Sequence, residues 1–313
     1  MQNNIKDFQK NILQIKNLTK RFKLGKKKIV ANNKVTTSFK AGELTAIIGH
    51  NGAGKSTLLN QIIGLTKPSE GKICLKGFDL SQDTYRARQM VSLMPQIHAP
   101  LTGVTLQQAI RAVFDIRGGR RSQLDMVDKL LHKLEITPYA DIPCEKLSGG
   151  LQRLTLFAMS VVYPSEVLLF DEPTNDVDPV RRKIIWEYLR GLANEGHIVI
   201  IISHNLLEVE NYADRYILME KGKIVRQGIP HYYDEGESLC MVLTLFLNKY
   251  NIFEDIDRAM DFRFIDAESK IEIRLKEEEI QKMVNFAMKL HKQDKIVSYS
   301  LAPISLLSSY EEM

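Results

Sequence analysis

The segment Gly49-His50-Asn51-Gly52-Ala53-Gly54-Lys55-Ser56-Thr57 constrains this 313-residue chain more than any other. It follows the pattern G-x-x-x-x-G-K-[ST], and its surroundings give the pattern its meaning. Leu44 to Ile48 is a short apolar run bounded by Gly42 and Gly49, which reads as a strand. After the loop, Leu58, Leu59, Ile62 and Ile63 recur at helical spacing up to Gly64. Glycines let successive backbone N–H groups curl around anionic oxygens, and the following helix adds unpaired donors and the positive end of its dipole. The loop is therefore a cradle for a polyphosphate, with Lys55 on the β and γ phosphates and Ser56 on Mg²⁺.

A second segment completes the chemistry. Val167 to Phe170 is an apolar strand from whose end Asp171 and Glu172 emerge, at the edge where ligands gather in open α/β sheets. Asp171 is placed to hold Mg²⁺ and Glu172 to act as general base for an attacking water.

The rest of the first two thirds alternates strand and helix, as an α/β sheet with parallel members requires. Leu151, Leu154, Ala158 and Val161 share a helical face before the breaker Pro164. Ile184, Ile185, Tyr188, Leu189 and Leu192 mark a helix ending near Gly196. Ile198 to Ile202 is a β-branched strand, and Ile217 to Val225, interrupted by Lys221 and Gly222, is a hairpin. A boundary near Pro230 separates residues 1–230 from an accessory region, 231–313. There the segment up to Tyr250 reads as helical or irregular. Phe262 with Phe264, and Ile271 with Ile273 and Leu275, alternate as two strands. Glu277 to Lys292 is an amphipathic helix, and Ile296 to Leu301 a strand before a short terminal helix.

Composition excludes several classes. Hydrophobic residues at 44% and charged residues at 26% are those of a globular protein, and 43 basic against 38 acidic side chains leave a net charge of only +5. That is too little over this length to argue for nucleic-acid binding. The runs Lys26 to Lys28 and Glu277 to Glu279 read as solvated faces. Cys74, Cys144 and Cys240 are far apart and suit neither a disulfide framework nor a zinc site, which fits a reducing cytosol. Met1 to Ile15 lacks the apolar core of a secretory signal. The apolar stretches Ile198 to Ile202 and Leu239 to Leu247 fall short of the roughly 20 residues that span a bilayer.

Between the two chemical segments lies Leu147-Ser148-Gly149-Gly150-Leu151-Gln152-Arg153, and here the chain resembles the nucleotide-binding subunits of ATP-binding-cassette (ABC) transporters. The physical sense of the motif is a second anion-binding helix N-terminus. The resemblance implies an ABC ATPase fold: a P-loop core, a helical subdomain and an antiparallel β subdomain, followed here by a small α+β appendage. It further implies head-to-tail pairing of two cassettes, in which Ser148, Gly149 and Gly150 of one subunit close on the γ-phosphate held by Lys55 of the other. Gln96, after Met94-Pro95, resembles the glutamine that senses Mg²⁺ and the attacking water. Asn175-Asp176-Val177-Asp178 resembles the loop that crosses the dimer interface, Asp178 being its acidic position. His204 resembles the switch histidine at the γ-phosphate, and Phe22 the aromatic on which adenine stacks.

The chain departs from the usual pattern in two places, with Leu151 for Gln and Asn175-Asp176-Val177 for Ser-Gly-Leu. The second adds a carboxylate at a subunit interface. The implied function is ATP hydrolysis energising a separate membrane permease, with ATP and Mg²⁺ bound and a second cassette, identical or paralogous, as partner. The implied location is the cytoplasmic face of the membrane. Leu101 to Ile116 reads as a helical stretch where the family docks its permease. Leu189 to Gly196, Ile200 to Asn205, Asp214 to Gly228 and Ala302 to Leu306 most resemble drug, antibiotic or polysaccharide exporter cassettes. An importer cassette, and an ATP switch acting on ribosomes or DNA, are the competing readings.

Overall fold

The computed structural model describes residues 12–25, 27–96, 101–230, 241–248, 262–265 and 270–303. The chain forms two compact units, Met1–Gln227 and Gly228–Met313. The first is built on two sheets. β1 (Ile12–Leu24) and β2 (Lys27–Lys40) pair antiparallel, and β4 (Glu70–Leu75) with β5 (Phe78–Asp79) extends them in the order β2-β1-β4-β5. The other sheet has the order β10-β9-β3-β8-β7-β6. Its centre is β3 (Leu44–Ile48), flanked by β8 (Ile198–Ile202) and β9 (Arg215–Glu220). Beyond β8 lie β7 (Val167–Asp171) and β6 (Val91–Met94), and the pairs among these five strands are parallel.

Every residue of β3, β7 and β8 is buried. A parallel sheet is covered on both faces, so its strands read as unbroken apolar runs rather than alternations. β10 (Lys223–Gly228) joins β9 through Lys221 and Gly222, at φ 46° and 80°. Two successive positive φ values give the turn whose twist suits a hairpin. Leu58, Leu59 and Ile62 of α1 (Lys55–Ile62) enter the core between the sheets with Ile47, Leu169, Ile200 and Phe39.

Helices between β5 and β7 carry the signature. α2 (Thr84–Met90) precedes β6. α3 (Leu106–Ile116) is closed at its start by a capping box between Thr105 and Gln108. That cap corrects the sequence expectation: the helix begins at Leu106, and 101–105 precede it without helical structure, because the Thr105 side chain takes the Gln108 N–H at the helix start. α4 (Asp125–Lys133) packs with α3, and α5 (Gly149–Val161) buries Leu151, Leu154, Ala158 and Val161 as the periodicity predicts. α6 (Pro179–Asn194) and α7 (Leu206–Tyr212) complete the unit.

The second unit holds the sheet β12-β13-β11-β14: β11 (Met241–Leu247), β12 (Phe262–Ile265), β13 (Lys270–Leu275) and β14 (Ile296–Pro303), all neighbours antiparallel. α8 (Glu277–Lys292) covers one face through Met283, Ala287 and Leu290. Here Met241–Leu247 overturns the expectation of helix or irregular chain up to Tyr250. Its leucines carry no β-branching signal, yet Leu243 and Leu245 alternate into the core between two partner strands, and that pairing outweighs local preference. The expected terminal helix, and Ile304 to Leu306, lie outside the described residues, as does Lys26. Among the described residues no helix is long and apolar enough to cross a membrane.

Candidate functional site

A cleft of about 540 Å³ opens where the phosphate loop meets the ends of β3 and β7. Asn51 through Thr57 form its floor, Asp171, Glu172 and Gln96 one wall, and Phe22, Ile29, Val30 and Ala31 the other. One end thus offers N–H donors and charge, the other apolar surface.

The loop is held in shape from below. Gly54 sits at φ 99°, and a β-carbon there would lie 2.2 Å from the Ala31 carbonyl oxygen, so only glycine lets the loop lie against β2. Asn32, fully buried, donates to the Gly54 carbonyl at 3.1 Å and accepts from Gln61 Nε2 at 2.7 Å. Lys55 folds back on the loop, its Nζ 2.6 Å from the Gly49 carbonyl and 3.0 Å from that of His50. Burial lowers the Lys55 pKa, and the opposing charges of Glu172 and Asp171 offset part of that.

Asp171 is 6% exposed. Burial raises its pKa, an effect countered by a hydrogen bond with the Ser56 side chain and increased by Glu172. A carboxylate short of water beside a hydroxyl is a set of hard oxygen donors that suits Mg²⁺, whose charge would relieve that burial. The residues therefore fit the ion.

Glu172 is 7% exposed and sits at φ 54°, a left-handed conformation that costs a non-glycine residue energy and is kept only when surroundings dictate it. The surroundings are visible. Its N–H donates to the Ile202 carbonyl at 3.0 Å, and its own carbonyl accepts from Arg153. His204 Nδ1 lies 2.8 Å from Glu172 Oε2, with an imidazole 64% exposed.

Other expected residues stand apart from this cleft. Ser148 caps α5, its Oγ accepting the Leu151 N–H at 3.4 Å, and Gly149 and Gly150 form the first turn. Asp178 caps α6 and pairs with Arg181 at 3.2 Å. Within one chain, none of these four lines the cleft. Gly150 instead lies against the interface-loop candidate: a β-carbon there would be 2.8 Å from the Asp176 carbonyl oxygen.

Arg153 is the residue that sequence reasoning passed over. Its guanidinium is almost fully buried and donates to the carbonyls of Gln96 at 2.5 Å, Asp171 at 2.8 Å and Glu172, with a longer contact of 3.4 Å to Pro95. One side chain of the signature helix thus pins the Gln96 segment to the end of β7. A signal was present: Arg153 falls on the stripe of buried Phe157 and Val161, where a cation demands acceptors. Arg153→Ala removes the buried donor these carbonyls share and is expected to lower the unfolding free energy by about 3 kcal/mol, read as a lower urea midpoint. Arg153→Lys recovers part of this at most, since an ammonium has no planar fork.

Comparison with known proteins fits this geometry. Residues 32–175 match the ABC transporter family model. The chain is 34% identical over 236 residues to Nod factor export ATP-binding protein I of Burkholderia lata, covering 75% of this chain and 76% of that one. The chain belongs to the ABC transporter ATP-binding proteins. Another such relative is the probable multidrug ABC transporter ATP-binding protein YbhF of Escherichia coli, 30% identical over 70% of this chain and 37% of the relative. Among solved structures, a dimeric ATP-binding cassette in a post-hydrolysis state with ADP and Pi superposes with a TM-score of 0.64. It covers 71% of this chain and all of that one, at 24% identity, which speaks to fold alone. This ABC cassette is an ATPase.

Proposed function

We propose that this cassette is the ATP-hydrolysing subunit of an exporter and works as a head-to-tail dimer beneath a separate permease. The observation that carries the reading is the division of the site. Lys55, Ser56, Asp171 and Glu172 converge on one cleft, while the helix N-terminus at Ser148, Gly149 and Gly150 stands outside it. A second copy, or a related cassette, supplies that missing anion-binding end to the γ-phosphate. Export is supported by the relatives, named for Nod factor export and multidrug transport.

The tasks then divide among the site residues. Phe22 with Ile29 and Val30 takes the adenine by stacking and apolar contact, which is worth roughly 1–3 kcal/mol per base. The N–H groups from His50 to Thr57 orient the phosphates, and Lys55 exchanges the carbonyls of Gly49 and His50 for β and γ oxygens. Ser56, Asp171 and Gln96 would hold Mg²⁺, which when bound would supply positive charge against the phosphates. Glu172 takes the proton of the attacking water, and His204 steadies the γ-phosphate. When the γ-phosphate leaves, Ser148 and Gly150 lose the charge they shared with Lys55, and the pair opens. Asp178 acts across the interface, and α3, following Gln96, receives the permease.

The test is association. From detergent-solubilised membranes of the native host, the tagged full chain is expected to co-purify with a polytopic membrane protein. Co-sedimentation with ribosomes and no membrane partner would reverse the reading in favour of an ATP switch.

A further inference from the structure

Two side chains converge on one oxygen of Glu172, and the second has no task so far. Asn175 Nδ2 donates to Glu172 Oε2, the atom that His204 Nδ1 also touches at 2.8 Å. Asn175 is the better anchored of the two: it is half-buried, whereas the His204 side chain is 64% exposed. Its backbone N–H returns to the Glu172 carbonyl at 3.4 Å. Next to it, Thr174 donates its hydroxyl to Glu208 Oε2 at 3.0 Å, and the Trp186 indole N–H meets the same oxygen at 2.9 Å. Glu208 lies in the first turn of α7, capped by Asn205 beside His204. Through Glu208, the segment carrying Asn175 and the segment carrying His204 are tied to one another, and both reach Glu172.

Resting on the reading of Glu172 as general base, we propose that Asn175 is a positioning residue for hydrolysis, holding the Glu172 carboxylate in the orientation from which it takes a proton. The chemistry of the side chain favours this task. A lysine or arginine in its place would pair with the carboxylate and spend the negative charge that makes it a base. A neutral amide directs one N–H at the oxygen and leaves the charge in place. The carboxylate also stands on a backbone held at φ 54° by Ile202 and Arg153, so the side-chain torsions are the freedom left to fix, and Asn175 fixes them.

The experiment is steady-state ATP hydrolysis by the full chain, parent against Asn175→Asp, Asn175→Ala and Glu172→Gln, with kcat and KM separated. Asn175→Asp keeps the shape but has no N–H and sets a like charge against Glu172. Its kcat is expected to fall about 100-fold, and that of Asn175→Ala about tenfold, with KM for ATP within twofold of the parent. Emission of Trp186, the chain's one tryptophan, checks that the fold around Glu208 is kept; if Asn175→Asp disturbs it, Asn175→Ala decides. Turnover within twofold of the parent in the Asn175 variants, or a loss appearing in KM instead of kcat, overturns the proposal. Glu172→Gln separates the two levels: if it hydrolyses ATP normally, the base assignment fails, and if it is inactive while the Asn175 variants are not, only the role of Asn175 fails.

Discussion

Glu172→Gln is expected to bind ATP with parental affinity, hydrolyse it about 10²–10⁴-fold more slowly, and accumulate as a dimer. The substitution keeps size and hydrogen-bonding reach but removes the lone pair that accepts a proton at neutral pH. The single amide oxygen of the glutamine can take the place of Glu172 Oε2 between His204 and Asn175, so the local structure has little reason to change. With the γ-phosphate uncut, both helix N-termini keep the charge that holds them together. Size-exclusion chromatography with ATP and Mg²⁺ should show a species of twice the mass, and a coupled assay the loss of turnover. Unchanged hydrolysis removes Glu172 from the role.

Lys55→Ala is expected to weaken ATP binding about 100-fold, as a lost charge-assisted contact of about 3 kcal/mol predicts. Lys55 is 8% exposed and already meets two loop carbonyls. The charge is thus pre-placed at the mouth of the loop, where water competes least. Titration with a fluorescent ATP analogue reads the change, and parental affinity in the variant refutes the cradle. Because burial lowers the Lys55 pKa, binding should weaken on the alkaline side before a solvent-exposed lysine would begin to lose its proton, and the variant should lack that limb.

Much of the fold was legible along the chain. β3, β7 and β8 are runs of apolar residues too short for helices and too continuous for a half-exposed sheet. The positive φ angles at Gly52 and Gly54, and the loop they shape, follow from what glycine alone tolerates. The cap at Ser148 follows from helix ends needing acceptors for their free N–H groups. β11 was not legible, because its leucines suit helix and strand alike and its partners lie 24 or more residues away.

The candidate site divides along the same line. Lys55, Ser56, Asp171 and Glu172 carry their chemistry in local order, a glycine loop before a helix and two carboxylates after a strand. Those requirements are met within a few residues of backbone, so reading the letters suffices. Arg153 under Glu172, Asn175 beside it, Glu208 behind Thr174 and Asn32 beneath Gly54 became visible only in three dimensions. A buried polar group must find a partner, but its need does not say which one; folding chooses among residues far apart in the chain by bringing one donor and one acceptor within about 3 Å.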